Sequence, residues 1–187
     1  MTREQVISFT DYGPYEPGSI SGGVETTNAV IDGRKSHVGF AFDGDKVSYI
    51  QTWKYEGSDF AETKIAALDV FDLFTTRFGG AKLPPLKLND QLVFNRTGMM
   101  VFLDHLFGRS PQVTEDMNEK AKRDGKKKII ATYVYDLVPV NQPSNCRLHS
   151  QLGYSSKFNK FYVMFFEELP GSKSREVKVN VHLDFDE

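Results

Sequence analysis

The chain has 187 residues, of which 40% are hydrophobic and 15 are Phe, enough for a core that needs no metal or disulfide. Its formal net charge is −2 and its isoelectric point is near 6.1, which argues against a dedicated non-specific nucleic-acid binder. Cys146 is the sole cysteine, so no intramolecular disulfide framework can form, and the longest apolar runs, such as Phe161–Phe166, are too short to span a bilayer.

The opening residues "MTREQVISF" carry charges and no apolar core. They predict a protein made without a signal peptide, cytoplasmic or, if viral, in the virion. Asp11–Gly23 is rich in Gly, Pro, Ser and Tyr, so residues 1–23 read as an extended arm or loop lying over a surface. Three strand patterns then form a β-meander over residues 24–54. Val24–Ile31 is rich in β-branched residues, His37–Phe42 sets Val38, Phe40 and Phe42 on one face, and Lys46–Trp53 sets Val47, Tyr49 and Trp53 on one face. Asp32–Gly33 and Asp43–Gly44 are the expected hairpin turns.

The period changes at residue 58. Phe60, Ile65, Leu68, Phe71, Phe74 and Phe78 recur at helical spacing, and Val70 and Leu73 widen the stripe, predicting a helix over 58–78. Asp59, with Glu62 three residues on, caps its start; Arg77 and Gly79–Gly80 suit its end. Leu83–Leu88, with two prolines, reads as an extended connector, and Gln91–Asn95 as a short strand. Residues 97–124 read as a helical insertion in two parts. The first, Thr97–Gly108, stops at its glycine. The second starts at a Thr114 cap, with Glu115 and Asp116 in its first turn, and stops at Gly125. Its thin stripe of Val113, Met117 and Ala121 places it on the surface.

From residue 127 the pattern is β. Lys127–Val138 and Lys160–Leu169 are apolar on both faces, as in strands covered on both sides. Arg175–Phe185 alternates, with Val177, Val179, Val181, Leu183 and Phe185 on one side and Lys178, Asn180, His182 and Asp184 on the other. The expected fold is α+β and mainly antiparallel β, with about seven strands. It is either sandwich or jelly-roll-like or a sheet packed on helices, with the long helix 58–78 and two shorter ones, all in one domain over 1–187.

Chemistry is sparse. Lys120, Lys122, Arg123, Lys126, Lys127 and Lys128 put six positive charges into nine residues. A helix C-terminus and a strand start account for them without a ligand. The alternative is a phosphate-contacting patch with Tyr133 and Tyr135 as stacking platforms, although these tyrosines share a face with Ile129, Ala131 and Leu137, the composition of a core. His37, His105, His149 and His182 show no metal spacing, and Cys146-x-x-His149 lacks a second ligand pair. Asp43–Asp45 lacks the further oxygen ligands of a calcium loop. No nucleophile-elbow, zincin or dinucleotide motif occurs. No catalytic residue, no metal and no cofactor is therefore expected.

These features point to a non-enzymatic, self-assembling structural protein, such as a viral or phage particle subunit. It is expected to be a homo-oligomer, without a membrane partner, and with Lys178, Asn180, His182 and Asp184 at the interface. The closing strand–turn–strand pattern resembles in form the last hairpin of jelly-roll coat proteins, while "MTREQVISFT" departs from their basic N-terminal arm. The alternatives are a single-stranded nucleic-acid-binding accessory protein using residues 120–128, and an enzyme with a cleft between helices and sheet.

Overall fold

The computed structural model describes residues 1–18, 22–31, 33–82, 95–125 and 132–171. Among these residues eight strands form one antiparallel sheet: β1 (Glu16–Pro17), β2 (Val24–Ile31), β3 (Arg34–Asp43), β4 (Lys46–Gly57), β5 (Ala81–Lys82), β6 (Thr132–Pro139), β7 (Arg147–Ser155) and β8 (Lys160–Glu168). Their order is β1-β2-β3-β4-β8-β7-β6-β5. Three α-helices lie among the described residues: α1 (Arg3–Ile7), ahead of the first strand, α2 (Phe60–Phe78) and α3 (Arg96–Arg123). Of the two layouts expected, the described residues form the sheet packed on helices. No described helix is long and apolar enough to cross a membrane.

The meander forms as expected, with two shifts of register. Asp43 pairs with Lys46, so the loop residues between β3 and β4 are Gly44 and Asp45, one step later than expected. Gly44 takes a φ of 59°, the positive value a tight hairpin needs at its first central position. A bulge between Ala41 and Phe42 then displaces the alternation of β4 by one residue. Val47 therefore joins Val6 and Val24 in a small core, while Tyr49 and Trp53 point to the opposite face. The expectation that all three share a face is corrected: an unpaired extra residue re-aims the side chains beyond it.

The N-terminal arm lies along β2. β1 pairs with β2, Thr26 Oγ1 donates to the Tyr12 carbonyl, and Asn28 Nδ2 donates to the Gly13 carbonyl at 2.9 Å. The short helix α1 was not expected. Thr2 and Gln5 close a capping box at its start, and Val6 anchors it in the small core.

Helix α2 has the expected Asp59 and Gly79 caps, but the box with Glu62 is only half formed: the Asp59 amide donates to the Tyr55 hydroxyl at 2.9 Å instead. Asp59 accepts from the amides of Ala61 and Glu62 at 2.8 and 3.0 Å, and Gly79 ends the helix at φ 76°. Its buried face is Thr63, Ala66, Ala67, Leu68, Val70, Phe71 and Phe74. Ile65, expected on that face, is exposed. Phe71, Phe74, Leu103, Phe107, Leu137, Leu152 and Val163 make the main core between the two long helices and β6–β8. Helices α2 and α3 run antiparallel, tied by Lys64–Asp104 and Arg96–Asp72 ion pairs at the surface.

Helix α3 corrects the two-helix reading of residues 97–124. It is one helix of 28 residues, capped by Asn95 and continuous through Gly108 and Pro111. Thr114 is no cap: it is buried, and its hydroxyl donates to the Ser110 carbonyl at 2.9 Å. Ser110 likewise donates to Leu106. Leu106, Phe107 and Ala121 are buried along the same helix, so packing carries it across both breakers. A Cβ at Gly108 would meet nothing within 4 Å. Gly108→Ala is therefore expected to stabilise the fold by about 1 kcal/mol, raising the melting temperature by roughly 2–4 °C. A thermal melt that falls instead would show that the helix is broken there.

Candidate functional site

The expected nucleic-acid residues divide. Lys120, Lys122 and Arg123 occupy the exposed last turn of α3, with no ion pair among the described residues. Lys126, Lys127 and Lys128 lie outside the described residues, as do Lys178, Asn180, His182 and Asp184 of the expected interface. Tyr135 is not an open stacking platform: it meets Phe102 edge-on at 5.6 Å and packs against the main core. Cys146 and His149 part company. Cys146 packs against the core on the helix side, its thiol pKa raised by burial and by Glu167, while His149 stacks on Phe166 across the sheet. His105 is exposed on α3. Among the described residues, no group of three His, Cys, Asp or Glu can hold a metal. A groove of about 570 Å³ does open between α2 and β3–β4, but its described lining holds neither His nor Cys.

Two features stand out that the sequence pattern does not assemble. The first is the sheet face turned away from the helices. Residues paired across the sheet share a face, so Gln51, Phe166 and His149 form one row there. Trp53, Met164, Gln151 and Asp136 form the next, with His37 opposite Trp53. Tyr49, Glu168 and Arg147 form a third. His37 stacks on Trp53 at 3.8 Å, and Phe166 lies between Tyr49 at 5.2 Å and His149 at 4.7 Å.

This face also holds four titratable groups whose pKa values are shifted. Burial, aided by the neighbouring Arg147, pushes the His149 pKa down to about 4. Burial raises that of Asp136, against the pull of Gln151 and Arg147. Burial raises the Tyr49 and Tyr162 hydroxyls as well, with Glu168 and Asp136 adding to the first and Asp136 to the second. Arg147 and Glu168 approach to 3.7 Å. Among the described residues, the buried side-chain polar atoms without a hydrogen-bond partner are His37 Nε2, Asp136 Oδ1 and both ring nitrogens of His149. All four belong to this face. Glu25 Oε2 stands 3.6 Å from His37 Nε2, beyond hydrogen-bond reach. A buried polar atom left unmet costs about 1–3 kcal/mol.

The second feature is the N-terminal edge of the sheet. Ile7, Phe9 and Tyr12 are between 41% and 48% exposed. Phe9 and Tyr12 touch edge-on at 6.5 Å. Beside them an open groove of about 720 Å³ is lined by Ile7, Pro14, Tyr15, Pro17 and Val24 together with the polar Arg3, Thr10 and Glu16. β1 ends the sheet here, and no described strand pairs with its outer side. Exposed apolar side chains next to a free edge are what soluble chains ordinarily avoid.

Compared with known proteins, this chain matches no family model, no curated protein and no solved structure.

Proposed function

We propose that the chain is a non-enzymatic protein that works by associating with copies of itself, as a subunit of a larger assembly such as a viral or phage particle. The observation that supports this is the N-terminal edge, where Ile7, Phe9 and Tyr12 protrude beside an apolar groove on the same surface. A two-fold contact needs a self-complementary patch, and a knob next to a groove is one. The rim carries both signs, Arg3 against Glu4, Asp11 and Glu16, so the same two-fold sets opposite charges across the contact. With few large side chains involved, the contact is reversible and depends on concentration.

Substituting Ile7→Glu together with Phe9→Glu tests this surface. Both side chains are exposed, so the monomer keeps its melting behaviour. The two-fold would bring four carboxylates together, and sedimentation velocity should show the variant as monomer where the wild type is larger. A variant that sediments like the wild type removes this edge from the assembly.

The exposed basic last turn of α3 supports a second reading, binding of single-stranded nucleic acid through Lys120, Lys122 and Arg123. Changing all three to Gln should lower affinity for an oligonucleotide and flatten its salt dependence by up to about 0.7 per lost phosphate contact. Wild-type protein with no salt-sensitive binding ends that reading.

A further inference from the structure

Helix α2 lies over β4 and β8, and α3 over β7. Packed helices stand about 8–10 Å apart and neighbouring strands about 4.8 Å, so one helix spans two strands. The next helical place beside α2 therefore falls over β2 and β3. One end of that place is taken by α1, through the small core of Val6, Val24 and Val47. At its other end, by the β2–β3 turn, lies the groove of about 570 Å³. Ile31 and Ser36 are only half-buried there, and Lys35 is exposed.

The α2 wall of this groove runs from Glu62 to Thr76, about 20 Å of helix. Ile65 and Leu73 stand about two turns apart on it and form an apolar line, and Ile65 is 53% exposed. Glu62 and Asp69, also about two turns apart, are exposed beside that line, with no ion pair among the described residues. The third carboxylate of this wall, Asp72, is held by Arg96. On the strand wall Lys35 is open, while Lys54 leans over the Phe165 ring at 5.8 Å.

The two walls carry opposite charge, with an apolar line of helical period between them. An extended segment repeats its side chains about every 6.6 Å and does not match the spacing of about 10–12 Å along α2. A helix with an apolar stripe and cations on one flank does match it.

We infer that this groove is the docking site for an amphipathic α-helix of a partner protein, its apolar stripe on Ile65 and Leu73 and a flank of Lys or Arg against Glu62 and Asp69. The site shares no residue with the N-terminal contact and stands or falls separately from it.

The probes are three fluorescein-labelled peptides of about 18 residues, some five turns of helix, titrated into the full chain and read by anisotropy. The first has Leu at helical spacing, Lys along one flank and Gln elsewhere. The second has Glu in place of Lys, and the third scrambles the first. The first should bind saturably, and the other two about tenfold more weakly or worse. Ile65→Glu should weaken the first peptide about tenfold and keep the wild-type melt, because Ile65 is half exposed. Glu62→Lys with Asp69→Lys should weaken the first peptide and strengthen the second, an exchange that loss of structure cannot produce. If that pair lowers the melting temperature, Asp69→Lys alone carries the exchange. No saturable binding of the first peptide up to its solubility overturns the inference. So does binding that ignores Ile65→Glu, or that the scrambled peptide matches. Loss of wild-type self-association in Ile65→Glu would give the groove to a second copy, and also overturns it.

Discussion

Phe71→Asp is expected to leave no cooperatively folded protein. Phe71 is 1% exposed at the centre of the α2 face, within the core shared with α3 and β6–β8. A carboxylate there has no partner, and its burial costs several kcal/mol. That is about half or more of the 5–15 kcal/mol that holds an ordinary domain. The variant should be insoluble, or soluble without a near-ultraviolet dichroism signal. Phe74→Ala gives a graded version. Phe74 is fully buried and meets Phe78 at 6.3 Å and Phe165 at 6.0 Å. Its loss should cost about 3–5 kcal/mol and lower the melting temperature by roughly 6–20 °C. A soluble Asp variant with wild-type melting would mean that another face of α2 meets the sheet.

Acid should weaken the fold well before the carboxylates are reached. In the unfolded chain His149 titrates near 6.5, and in the fold burial first and Arg147 second push it down to about 4. Between those values the unfolded chain holds a proton that the folded one refuses. The stabilisation is therefore whole above pH 6.5 and is lost as the pH falls toward about 4, by about 3 kcal/mol in total. Asp136 has the opposite sign: its pKa is raised by burial, so the folded form takes its proton first and returns some stability as the pH falls. Chemical denaturation of wild type at pH 7 and pH 5 should show the loss, and His149→Leu should be nearly flat over the same interval. Equal slopes for the two proteins would place a proton on His149 in the folded state.

Local signals in the sequence carried over to the structure, and long-range ones did not. Asp59 and Gly79 act through their own backbone neighbours, so the bounds of α2 were legible from composition alone. Gly108 and Thr114 carry the same kind of signal, yet neither bounds a helix. Gly108 stays out of the left-handed conformation that would end one, and Thr114 turns its hydroxyl back onto Ser110 while its side chain is buried. Ile65 fits a helical stripe by spacing but falls just outside the arc that the sheet covers. The bulge at Ala41–Phe42 leaves no local mark, so the facing of Val47 was unreadable. Thr2 with Gln5 is a legible capping box, but a five-residue helix has no periodicity to confirm it. The polar cluster was out of reach altogether. Gln51 and Trp53 come from β4, Asp136 from β6, His149 from β7 and Phe166 from β8, and only the strand order sets them side by side. The exposure of Phe9 was equally hidden, because an apolar residue in a short N-terminal run reads the same whether it faces core or solvent.

The molar mass of the wild-type chain in solution bears most directly on self-association. Multi-angle light scattering after size exclusion, at loading concentrations from submicromolar to hundreds of micromolar, should give a mass well above 21.2 kDa at the upper end. Dilution should bring it down toward that value, as a reversible contact requires. A mass of 21.2 kDa at every concentration would contradict self-association, because the exposed Ile7, Phe9 and Tyr12 would then face solvent with no copy to cover them.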